Sequence, residues 1–169
     1  RGGAVSPFGY RTTIRIVGGP NGAAGYRAAD SNDVVEVTSC PIAASKLSRL
    51  LSEIEADEGA ELTLRTSVAT GAITAIWDKK YRKSIRGVPP KVHIGERAWL
   101  TERIADHDLR VSAGSFFQSG AQAAELLVAA VKRAAPELAT ARHAVDAYGG
   151  VGLFAVTAME SAHHVTVIE

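Results

Sequence analysis

Three glycines, an aspartate and a glutamate near the end of the chain could do chemistry together. They lie in "AVDAYGGVGLF" at 144–154 and in "VTVIE" at 165–169. An apolar run leads into Asp146, then an aromatic, then Gly149, Gly150 and Gly152. Glycines at such a turn let the backbone approach a ligand closely. Glu169 closes the next apolar run, where an acid can hold ribose hydroxyls. The glycine spacing departs from G-x-G-x-x-G, which disfavours a dinucleotide and favours S-adenosylmethionine. The alternative is a plain strand-to-helix turn with Glu169 as a surface strand end.

The elements around these residues follow from periodicity. Strands are expected at 143–147 and 164–168, with a helix from about 151 to 160 between them. "SGAQAAELLVAAVKRAAPEL" predicts a preceding helix capped by Ser119. This alternation belongs to an α/β layered sheet. The earlier part reads differently. "YRTTIRIV" and "AAGYRA" flank the "GGPNG" turn as one hairpin, and "ELTLRTSVATGAITAIW" folds at Thr70-Gly71 as a second. "DVVEV" is a short strand. Pro41 opens a helix that Gly59 stops, with Leu47, Leu50, Leu51 and Ile54 at helical spacing. "VHIGERAWLTERIADHDLRVS" gives further strands, turning at Gly95 and at His107-Asp108.

The expected architecture is an α+β central domain with antiparallel hairpins over 1–112. The first part of an α/β Rossmann-like domain follows over 113–169. Both ends read as cut, and the second domain reads as truncated. Two parallel strands are too few to be stable alone. A disordered or rearranged C-terminal third is therefore expected, or self-association through exposed sheet edges.

Composition narrows the partners. The net charge is +1, so any polyanion site must be a local patch. No apolar run approaches the roughly 20 residues of a membrane span. A single cysteine, Cys40, excludes an internal disulfide framework, and a cytoplasmic location is expected. Basic candidates for RNA are Arg11 and Arg15, Arg27 on the partner strand, and Lys79, Lys80, Arg82 and Lys83 in "KKYRKSIR" around Tyr81. That run suits phosphate contacts with base stacking, or equally a solvated charged loop. His163-His164 is not a metal spacing.

In order, "VSAGSFFQSGAQAAELLV", "VDAYGGVGLF" and "VTVIE" resemble the methyltransferase domain of the S-adenosylmethionine-dependent RNA uracil-C5 methyltransferases, the 5-methyluridine family. "GYRTTIR", "AGYR" and "DVVEVTSCPIA" are similar to that family's central domain. The resemblance implies methyl transfer to carbon 5 of uridine in ribosomal or transfer RNA. It further implies cofactor contacts at Gln118, Tyr148, Gly150, Leu153 and Glu169. Phe116 is read mainly as core, with a place near the flipped base as the alternative. The implied chemistry adds a cysteine thiolate to carbon 6 of an unstacked base. The family's catalytic cysteine and base would lie beyond "VIE", so no catalytic residue is assigned here and the chain alone is expected to be inactive. Some relatives place an iron–sulfur ligand where Cys40 stands. One cysteine cannot hold a cluster, and an inert thiol is the preferred reading. Two other readings are a methyltransferase with another acceptor and a non-catalytic RNA-binding module.

Overall fold

The computed structural model describes residues 4–169. Both expected hairpins form. β1 (Thr13–Gly18) runs antiparallel to β2 (Ala24–Arg27), and β3 (Val34–Glu36) adds to β2. After α1 (Ser45–Leu50) and the short β4 (Glu55–Ala56) come β5 (Glu61–Thr66) and β6 (Ile73–Ile76). The connection between them contains the expected Thr70-Gly71, and Gly71 has a positive φ of 69°. β7 (Ile85–Arg86) pairs with β4, and β8 (His93–Ile94) runs parallel to β6. The main sheet therefore has the order β3-β2-β1-β5-β6-β8.

Strand alternation sends Ile14, Ile16, Leu62 and Leu64 to one face of this sheet. There they pack with Leu47, Leu50, Leu51 and Ile54. The expected helix from Pro41 to Gly59 is much shorter. It spans only Ser45–Leu50, and the last two of its four periodic apolar residues are buried by the following turn. Their spacing reported burial at a tight corner, not a continuous helix.

β9 (Trp99–Ile104) and β10 (His107–Ser112) form a regular hairpin. Its turn is Ala105-Asp106, both at positive φ, not His107-Asp108. Leu100, Ile104, Leu109 and Val111 of this hairpin form a second apolar cluster with Phe117, Ala124, Val128 and Leu153. Ala124 and Val128 lie on α2 (Ala121–Ala134). That helix begins at Gly120 with no side-chain cap, so Ser119 is not the cap residue expected. β11 (Ala144–Ala147), α3 (Leu153–Thr157) and β12 (Val165–Ile168) follow. The two strands pair in parallel, with Asp146 opposite Val167. α3 is shorter than the expected 151–160. Among the described residues, no helix is long and apolar enough to cross a membrane.

Candidate cofactor and RNA site

The glycine turn sits where β11 ends. Asp146 is buried, and its Oδ2 accepts from the Ala155 N–H at 3.1 Å. The carboxylate thus satisfies a donor in the first turn of α3. Tyr148 follows in a left-handed conformation, φ 62°, with its side chain 92% exposed. Gly150 and Gly152 also have positive φ, and a Cβ built on either would meet nothing within 4 Å. The turn is therefore open on that side. Glu169 folds back over it: the Gly150 N–H donates to Glu169 Oε2 at 2.6 Å. The structure thus joins two of the sequence-derived candidates directly.

Leu153 is placed differently. Its side chain is 6% exposed and packs in the second cluster with Leu100 and Phe117. Gln118 is half-buried in the segment that leads from β10 to α2.

That segment is an arch fixed at both feet. At one foot the Ser115 carbonyl accepts from Arg65 Nη2 at 2.5 Å. At the other, the Ser119 carbonyl accepts from the Thr12 N–H at 2.8 Å. Gly120 lies so close to β1 that a Cβ there would stand 2.1 Å from the Tyr10 carbonyl oxygen. Between the feet, Phe117 points into the core and Phe116 is 79% exposed. Core packing was the preferred expectation for Phe116. The structure gives that role to its neighbour.

Arg65 was missed by sequence reasoning. On β5 it shares a face with Glu61 and Thr63, which reads as the solvent side of an alternating strand. The end of that face lies under the arch instead. Arg65 is 5% exposed, and its Nε and Nη1 have no partner. The cross-strand neighbours of Arg65 are Thr13 and Thr74, and both of their hydroxyls are also buried without partners. Glu102, 2% exposed, supplies the nearby opposite charge. Its carboxylate accepts from the Val68 and Ala69 N–H groups at 3.1 and 3.2 Å. Burial raises the Glu102 pKa against those hydrogen bonds, and burial lowers that of Arg65 against the pull of Glu102. Desolvation dominates for both partners.

The RNA candidates divide by availability. Arg15 and Arg27 both bind Glu61, whose carboxyl is held below its usual range by Arg27 and then Arg15. Arg11 is exposed beside β1. Lys79 and Lys80 lie on a 3₁₀ turn, Lys79–Tyr81, capped by Asp78. The Lys80 ammonium stands 4.7 Å from the centre of the Tyr81 ring. Arg82 and Lys83 are exposed, whereas Arg86 is tied to Asp57 and Glu55. Cys40 is half-buried against the main core, with its N–H bound to Ser48 Oγ. Among the described residues, no cluster of His, Cys, Asp and Glu could hold a metal.

No protein-family model matches the chain, and no curated protein matches it by sequence. Its fold is similar to a solved structure of the Pyrococcus abyssi tRNA (uracil-54, C5)-methyltransferase in complex with S-adenosyl-L-homocysteine. The TM-score is 0.68 at 20% identity, over 96% of this chain and 49% of that one. The chain thus spans about half the length of that protein. The shared property is the fold.

Proposed function

We propose that the chain is part of an S-adenosylmethionine-dependent RNA uracil-C5 methyltransferase. In this reading 1–112 is an RNA-facing domain and 113–169 opens a Rossmann-like cofactor domain. The carrying observation is the Gly150–Glu169 contact at the carboxyl ends of a parallel strand pair. Cofactors bind there in open α/β sheets. The site fits the group. The glycine turn is open, and an acid lies within hydrogen-bonding reach of it. Glu169 would take the ribose hydroxyls, with Tyr148 and Gln118 beside the cofactor. Leu153 would support the turn from within the core. When bound, S-adenosylmethionine supplies an electrophilic methyl group.

Phe116, held out by the arch, would stack on an unpaired base of the RNA. Lys79, Lys80, Arg82 and Lys83 would meet phosphates, with Arg11 beside the first strand, and Arg15 would join them only by exchanging Glu61 for a phosphate. Carbon 5 of uracil needs a thiolate added at carbon 6 before it can take a methyl group. Cys40 packs against the core of the main sheet, and no residue of this chain is assigned as the thiolate or the base. The two-stranded β11–β12 sheet exposes Val145, Val167 and Ile168, a surface suited to self-association in the isolated chain. A cytoplasmic enzyme acting on transfer or ribosomal RNA fits these features.

Calorimetric titration with S-adenosyl-L-homocysteine tests the reading. Binding is expected, weakened by about 1–3 kcal/mol in Glu169→Ala, the cost of unpaired buried hydroxyls. Equal affinity of wild type and variant removes Glu169 from the site.

A further inference from the structure

A cavity of about 480 Å³ lies between the β9–β10 hairpin and the glycine turn. Arg97, Trp99, Arg110, Ser112, Ser115 and Gly150 line it, together with Glu96 and Val151. We infer that this cavity is a second RNA contact, taking a backbone phosphate of a single-stranded segment. The inference rests on the reading above and goes beyond the basic loop.

Charge is the first support. Among the described residues, neither Arg97 nor Arg110 has a carboxylate within ion-pairing distance. Arg15, Arg27 and Arg86, by contrast, are already paired, whereas Arg97 and Arg110 are unpaired and line one cavity together. Two guanidiniums face one carboxylate, Glu96, so the cavity is net positive. Preorganisation is the second support. The Arg110 guanidinium lies 4.1 Å from the centre of the Trp99 ring. Stacking fixes its plane and leaves its edge N–H groups free for a phosphate. The Ser112 and Ser115 hydroxyls are hydrogen-bonded to each other at 2.6 Å, which leaves one hydroxyl proton to donate at the same wall.

Position is the third. Ser115 immediately precedes the exposed Phe116, and Gly150 lies two residues after the exposed Tyr148. Charged wall and aromatic faces thus adjoin, the combination that holds single strands without base readout. A phosphate is favoured over the cofactor's carboxylate because the arginines come from the hairpin and not from the turn that would hold the adenosine.

The test uses the whole chain, a labelled single-stranded uridine-containing RNA, and S-adenosyl-L-homocysteine as a separate ligand. In Arg97→Gln/Arg110→Gln, the slope of log affinity for RNA against log salt should become shallower by about 0.7, the one phosphate contact on a single strand. Arg97→Lys/Arg110→Lys should retain most of the slope, and affinity for S-adenosyl-L-homocysteine should be unchanged in both. An unchanged RNA slope overturns the inference while leaving the methyltransferase reading intact. Loss confined to S-adenosyl-L-homocysteine reassigns the cavity to the cofactor and overturns it equally. Wild-type chain that binds S-adenosyl-L-homocysteine but no RNA overturns it too. Failure to bind either ligand overturns the parent reading with it.

Discussion

Arg65 on β5 donates a hydrogen bond to the carbonyl of Ser115, 50 residues away in sequence. It ties the main sheet to the arch that presents Phe116. Arg65→Leu would leave Glu102 buried beside an apolar group and the Ser115 carbonyl without its donor. Leaving a buried carbonyl without its donor costs about 1–3 kcal/mol. Urea unfolding should show a lower midpoint with an unchanged slope. A change within about 0.5 kcal/mol, ordinary for a surface site, would mean the buried Arg65 contributes nothing net.

Glu102 gives a pH dependence of defined sign. Burial raises its pKa in the fold, so the fold favours the protonated form. The resulting stability is full below the unfolded value of about 4.3 and is lost as pH rises through the raised native value. Glu102→Gln is neutral throughout. Wild-type stability minus variant stability should therefore fall with rising pH across that window and then level off. A difference that climbs with pH would show that the carboxylate is stabilised, not penalised.

Phe116 and Phe117 should behave as opposites. Phe117→Ala removes a buried ring and should cost about 3–5 kcal/mol. Phe116→Ala should leave the melting temperature almost unmoved and lower RNA affinity. Equal thermal losses in the two variants would contradict their observed exposures.

Replacing Lys79, Lys80, Arg82 and Lys83 with Ala should flatten the salt dependence of RNA binding. Arg86→Ala in the same basic stretch should not, because Arg86 is already paired with Asp57 and Glu55. Filter binding at several salt concentrations separates the two. If Arg86 matters as much as the lysines, total charge and not availability governs the contact.

The hairpins were legible because alternation is local and their faces differ in polarity. The turn with Glu169 was legible because glycine and acid report backbone and strand end directly. Arg65 was not. Its alternation with Leu62 and Leu64 puts it on the face that local rules assign to water, and only a segment from far downstream buries it. Phe116 and Phe117 are adjacent and identical in type, so their opposite fates depend on how the arch is held. The Leu47–Ile54 spacing was legible as burial but overstated the helix, since a corner can bury the same residues.

One further consequence lies in Gly120. Its backbone is extended, φ −175°, and any residue could adopt that conformation. The obstacle is the Tyr10 carbonyl oxygen, 2.1 Å from where a Cβ would stand. In a saturation library selected for a folded chain, position 120 should return glycine alone. Gly22 is in the left-handed region with open space around it, and asparagine should appear there as well. Deep sequencing would thus distinguish glycine kept for its missing side chain from glycine kept for its torsion angles.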